Sequence, residues 1–213
     1  MAAGGRQEAA TRPIGVFDSG IGGLTVVREL RAELPGEEIL YFGDSARVPY
    51  GTKSPETVRR FTRECVAFLI RRDIKLLVVA CNTASAVALP LLAGELTIPV
   101  VGVIEPGVRA ALARTRRRRI GVIGTEGTIA SGAYRRALEG SVPGVEIHER
   151  ACPLFVPLAE EGWLDGDVPA RVARAYLGPL AAGGIDTLIL GCTHYPLLRS
   201  VIAAAAGEGV ELV

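Results

Sequence analysis

The stretch Leu76-Leu77-Val78-Val79-Ala80-Cys81-Asn82-Thr83 decides how the rest of the chain is read. An unbroken apolar run of this length, closed by a small residue, a cysteine and polar groups, reads as a strand buried on both faces. Helices packed on each side of a parallel sheet produce that burial. A near copy occurs as Leu188-Ile189-Leu190-Gly191-Cys192-Thr193, its cysteine 111 residues beyond Cys81.

Outward from these two runs, strands and helices alternate. Ile14–Asp18 is a short apolar run that ends in the turn residues Ser19–Gly23. A helix over Leu24–Leu34 follows, stopped by Pro35-Gly36, and then a strand at Ile39–Phe42. Ser54 ahead of Pro55 has the form of a cap and a first-turn proline. The helix it opens places Val58, Phe61, Cys65 and Phe68 on one face. A helix over Thr83–Ala93 and a strand at Ile98–Val103 complete the first half. The second half repeats the alternation, with strands at Arg119–Gly124, Val145–Glu149 and Thr187–Leu190. Its helices are expected at Ser131–Leu138, Val168–Ala182 and Leu197–Ala206.

The halves also match each other. Ile14-Gly15-Val16 returns as Ile120-Gly121-Val122 after 106 residues, and Val48-Pro49 as Val156-Pro157 after 108. With the cysteine runs, these are three matches in one order at nearly one offset, the mark of an internal duplication. The expected fold is α/β, with two similar doubly wound domains over 13–105 and 106–213 after a disordered extension over 1–12. By the same offset Val210–Val213 corresponds to the strand Ile98–Val103. Ligands of open α/β sheets bind beyond the carboxyl ends of the strands, so the active site is expected in the cleft between the two domains.

Composition narrows the function classes. Apolar residues are 49% of 213 and aromatics 5%, enough for a large, mainly aliphatic core. Lys and Arg number 24 against 23 Asp and Glu, so nothing global points to nucleic acid or a membrane. The basic run Arg114–Arg119, broken only by Thr115, reads as a solvated linker. The four cysteines form no CxxC pair and no zinc spacing, so no metal is expected. Residues 1–12 lack the apolar core of a signal peptide, and no apolar run is long enough to span a bilayer. A soluble, cytoplasmic protein with reduced thiols is expected.

Cys81 and Cys192 each close a strand and precede a helix start, where free N–H groups and the helix dipole favour a thiolate. Cys65, in an apolar helical stripe, and Cys152, beside Pro153, read instead as small buried hydrophobes. Asp18 or Ser19 has the place of a helix cap; at a strand end Asp18 is also placed to assist acid–base chemistry. His194, one of two histidines, lies two residues from Cys192. Gly121, Gly124 and Gly127 do not form GxGxxG, which argues against a nicotinamide cofactor.

The motifs become specific in combination. Phe17-Asp18-Ser19-Gly20-Ile21-Gly22-Gly23-Leu24 resembles the opening motif of bacterial glutamate racemases, in the aspartate/glutamate racemase family. So do Tyr41-Phe42-Gly43-Asp44 with Pro49-Tyr50-Gly51, Ala80-Cys81-Asn82-Thr83-Ala84-Ser85-Ala86, and Leu190-Gly191-Cys192-Thr193-His194-Tyr195-Pro196-Leu197-Leu198. The resemblance implies a cofactor-independent racemase that makes D-glutamate from L-glutamate for peptidoglycan. It implies Cys81 and Cys192 as catalytic thiols, Asp18 assisting the first, and His194 beside the second. Glu160 is implied as a further assistant, with adjoining Glu161 as the alternative. The substrate contacts it implies are Asp18, Ser19, Tyr50, Gly51, Asn82, Thr83, Thr193 and His194. Family members continue past the position of Val213 with helices that return to the first domain, so the resemblance implies a missing C-terminal segment. A racemase for aspartate or another acidic amino acid, a non-catalytic gyrase-binding role and a homodimer stay open.

Overall fold

The computed structural model describes residues 11–213. Most of the extension expected over 1–12 therefore lies outside the described residues; of its last two residues, Arg12 pairs with Asp73 at 3.0 Å. The chain forms two compact units that meet in sequence between Val103 and Ile104.

The first unit runs β1 (Ile14–Asp18), α1 (Leu24–Glu33), β2 (Ile39–Gly43), a 3-10 turn (Tyr50–Thr52) and α2 (Pro55–Ile70). It continues with β3 (Leu76–Val79), α3 (Asn82–Glu95) and β4 (Val100–Gly102). Its sheet is parallel in the order β2-β1-β3-β4. The apolar run Leu76–Ala80 divides between two faces. Leu77 and Val79 pack with Phe17, Leu69 and Leu92 under α2 and α3. Val78 and Ala80 turn the other way and join Ile14, Val16 and the α1 residues Val26, Val27 and Leu30. The Ser54 cap forms as expected, its Oγ accepting from the Thr57 N–H at 3.2 Å.

The second unit runs α4 (Ile104–Arg114), β5 (Arg119–Gly124), α5 (Glu126–Ala130), α6 (Ala133–Ser141) and β6 (Glu146–Ala151). Then come α7 (Phe155–Glu160), α8 (Asp167–Ala182), β7 (Thr187–Gly191), a second 3-10 turn (Tyr195–Leu198), α9 (Arg199–Ala206) and β8 (Glu211–Leu212). Its sheet is again parallel, in the order β6-β5-β7-β8. Ile14 pairs with Leu76 in the first sheet, and Ile120 with Thr187 in the second. Those pairs are displaced by the same 106 and 111 residues found in the sequence, so the duplication holds down to strand register.

Four points differ from the sequence reading. No element is assigned to Ile104–Arg114 from the sequence, where the structure has α4 with Pro106 in its first turn. A first-turn proline gives up only an N–H that has no partner inside the helix, so the helix forms. The helix expected over Ser131–Leu138 forms as α6 but starts at Ala133, after Gly132 with its φ of +64°, and a short helix that was not expected, α5, precedes it. The Val-Pro match does not carry over to the backbone: Val48-Pro49 is a cis peptide ahead of a 3-10 turn, whereas Val156-Pro157 lies inside α7. Lastly, the basic run is exposed but paired. Arg114 meets Glu211 at 3.3 Å, Arg119 meets Glu146 at 2.7 Å, and buried Asp186 collects Thr115 Oγ1 and the N–H groups of Arg116 and Arg117.

Among the described residues, no helix is long and apolar enough to cross a membrane.

Candidate functional site

Each unit carries one cysteine just past its third strand in chain order, and the surroundings of the two are built differently. In the first unit β1 ends at Asp18, which is fully buried. Its Oδ2 accepts from the N–H groups of Gly20 at 3.1 Å and Gly23 at 3.0 Å, so it organises the turn from β1 into α1. Neither Asp18 nor Ser19 caps α1, whose N-cap is Gly23. A Cβ on Gly23 would come within 2.4 Å of the Asp18 Cβ, so only glycine fits there.

Ser19 follows, buried, and the Cys81 Sγ donates to its Oγ at 3.4 Å. Cys81 is the N-cap of α3, and its sulfur also accepts from the Ala84 N–H at 3.5 Å. Asn82 and Thr83 are the first two residues of α3, both buried.

The thiolate expected of Cys81 is not what this environment favours. Burial is the largest influence and the Asp18 carboxylate the next, and both disfavour a negative sulfur. The Ser19 hydroxyl and the N–H groups of Ala84 and Thr83 pull the other way, less strongly. The net result is a thiol pushed up to about 11.

In the second unit Cys192 lies just after β7. The α-helix start expected there is replaced by a turn leading into the 3-10 turn. Its Sγ is 3.7 Å from His194 Nδ1, and His194 Nε2 is 2.6 Å from Glu160 Oε1. Of the two adjacent glutamates, Glu160 reaches the imidazole, whereas Glu161 is the C-cap of α7. His194 is buried and Glu160 partly open, so the dyad runs from a dry sulfur to a wetter carboxylate. Thr193 is buried between Cys192 and His194 in sequence. Among the described residues no cluster of three or more His, Cys, Asp or Glu could hold a metal ion.

Tyr50 and Gly51 are buried at the start of the first 3-10 turn. The Tyr50 hydroxyl donates to Asp44 Oδ2 at 2.6 Å. Cys65 and Cys152 are free and buried, as expected, and burial lifts their thiols to about 11 and about 12. Cys65 is not in purely apolar company, because Arg47 Nη2 reaches its sulfur at 3.4 Å.

Sequence reasoning passed over three residues near these centres. Asp44 is buried and holds Tyr50. Thr125 stands at the end of β5 as Ser19 does at the end of β1, 106 residues on; the repeat offset was the signal that pointed to it. Tyr134 is buried, and burial followed by a charge on Cys192 keeps its hydroxyl protonated, so it lies near that sulfur. Nothing in its local sequence marks it.

The Asp/Glu/hydantoin racemase family model matches residues 22–213. A glutamate racemase of Geobacter metallireducens is 63% identical over 202 residues, covering 95% of this chain and 75% of its own. Among solved structures, a glutamate racemase isoform from Bacillus anthracis superposes with a TM-score of 0.92 at 48% identity, covering 95% of this chain and 76% of that one. The glutamate racemase of Francisella tularensis, solved with D-glutamate, gives 0.88 at 44%, with the same coverages.

Proposed function

Because this chain belongs to the Asp/Glu/hydantoin racemase family, we propose that it interconverts L- and D-glutamate with Cys81 and Cys192 as its two acid–base groups. The observation that carries the reading is the pair of buried thiols at equivalent strand ends of two sheets with one topology, each with its own polar partners.

Inverting an α-carbon needs a base on one face and an acid on the other. A duplicated fold supplies two such groups without a cofactor. With L-glutamate, Cys192 removes the α-hydrogen while His194, held by Glu160, stands against the sulfur. Cys81, kept protonated by burial and by Asp18, delivers its proton to the opposite face. With D-glutamate the roles exchange. The hydroxyl and amide groups of Ser19, Asn82, Thr83 and Thr193 bind the carboxylates and steady the charge that grows on the α-carboxylate, while the backbone of Tyr50 and Gly51 contributes binding alone. Thr125 joins them as the counterpart of Ser19. The product serves peptidoglycan synthesis.

Circular dichroism at one wavelength, with each enantiomer in turn, tests the activity. Loss of signal toward a racemic mixture from both L- and D-glutamate is expected, with L-aspartate turned over far more slowly. Preferred turnover of aspartate would replace glutamate as the substrate, and no turnover of either would leave a binding role.

A further inference from the structure

The segment from Asp44 to Gly51 is tied down by a polar network that none of the proposed chemistry uses. Asp44 is 6% exposed, and its Oδ2 accepts both the Tyr50 hydroxyl at 2.6 Å and Arg47 Nε at 2.6 Å. A buried carboxylate is costly unless paired and hydrogen-bonded, and here one oxygen meets a neutral and a charged donor. The Asp44 N–H donates to the Asp18 carbonyl at 3.0 Å, so the same residue grips the end of β1. Arg47 is fixed in turn by an ion pair with Glu64 and by the Phe61 ring, 4.1 Å beneath its guanidinium.

Tyr50 is 1% exposed, with its ring tilted against Phe17 and Phe61 at centroid distances of 6.2 and 5.9 Å. Phe17 is the residue before Asp18. Ring and hydroxyl are thus both committed inside the unit, which leaves the backbone of Tyr50 and Gly51 to face a ligand.

We propose that Asp44 is a positioning residue for substrate binding: through the Tyr50 hydroxyl and the Asp18 carbonyl it sets the Tyr50–Gly51 backbone relative to Asp18 and Cys81. The inference rests on the glutamate-racemase reading. Asp44 acts through other groups, and the thiol it neighbours is that of Cys65, not of Cys81. Binding groups held by it act equally on the ground and transition states, so their displacement raises KM and spares kcat.

The test compares Asp44→Asn, Asp44→Ala, Tyr50→Phe and the double variant Asp44→Asn/Tyr50→Phe on the full chain, with KM and kcat for both enantiomers. Asparagine keeps an oxygen for the Tyr50 hydroxyl and alanine does not. KM should therefore rise about tenfold in Tyr50→Phe, similarly or less in Asp44→Asn, and most in Asp44→Ala, with kcat within about threefold. The double variant should be no worse than the poorer single one, because both break one link. A folded Asp44→Asn or Tyr50→Phe with wild-type KM and only a lower melting temperature would overturn the proposal. If the Asp44 variants fail to fold, the KM of Tyr50→Phe decides alone. Absence of turnover in the unmutated protein would sink the racemase reading itself, and this proposal with it.

Discussion

The end of β3 and the end of β7 occupy one position in two copies of one sheet, yet they treat their cysteines in opposite ways. Cys81 meets a serine hydroxyl and a nearby carboxylate. Cys192 meets an imidazole whose far nitrogen is held by a carboxylate. Duplication has kept the backbone frame, because the frame fixes where each sulfur sits. The partners have diverged, and in the proposed reaction they set what each sulfur does with its proton. The first environment keeps the proton on sulfur; the second sets an imidazole against the sulfur.

The largest effect should come from removing either sulfur. Cys81→Ala and Cys192→Ala are each expected to lower kcat/KM by on the order of 10²–10⁴, the usual worth of a positioned acid or base. The loss must be equal in both directions. L- and D-glutamate have the same free energy in water, so the ratio of the two kcat/KM values stays at unity in any variant. Near-normal turnover in one alanine variant would make that cysteine structural and end the symmetry of the comparison.

Next in size is the dyad of the second unit. Glu160→Gln replaces the charged partner of His194 with a neutral one and should cost about 10–100-fold in kcat/KM, the worth of a charge-assisted hydrogen bond. Glu161→Gln should stay within about twofold, as exposed substitutions generally do. The reverse order would move the assisting role to Glu161.

The smallest expected effect sharpens the first unit. Asp18→Asn removes one of the two influences that keep Cys81 protonated, so the thiol midpoint should fall from about 11 toward the ordinary thiol range. Ser19→Ala removes a hydrogen bond to the thiolate and should raise it. Ultraviolet thiolate absorbance, titrated as a difference against Cys81→Ser, reads both. A midpoint unmoved or raised in Asp18→Asn would show that burial alone sets it.

The legible parts of the molecule were those written locally. The apolar runs at Leu76–Ala80 and Leu188–Leu190 carried the strands, the repeat offsets carried the register, and the cysteine that closes each run carried the candidate chemistry. Reading failed where one residue's meaning depends on its place in an element. The helix Ile104–Arg114 goes unassigned although its Pro106 sits in the first turn, where a proline costs no helix hydrogen bond, and α6 starts after Gly132, whose positive φ no local pattern shows. Cys81 shows the same limit in energy. The favourable N–H groups lie two and three residues away and can be read from sequence. The opposing burial comes from β1 and the packed core, and Asp18 lies 63 positions earlier in the chain. The resemblance marks Tyr50 only as a substrate-contacting position, and that Asp44 holds its hydroxyl comes from the fold.

Proton transfer in heavy water tests the two-thiol claim most directly. The reaction is started from pure L-glutamate in deuterated buffer and stopped early, and the two enantiomers are separated and weighed by mass spectrometry. A base on one face and a separate acid on the other put deuterium at the α-carbon of the newly formed D-glutamate. The residual L-glutamate keeps its hydrogen, because a monoprotic thiol returns the atom it took. Label appearing equally in both pools, or hydrogen carried over into the D-product, would mean a single base serving both faces, and would contradict the assignment of one thiol to each.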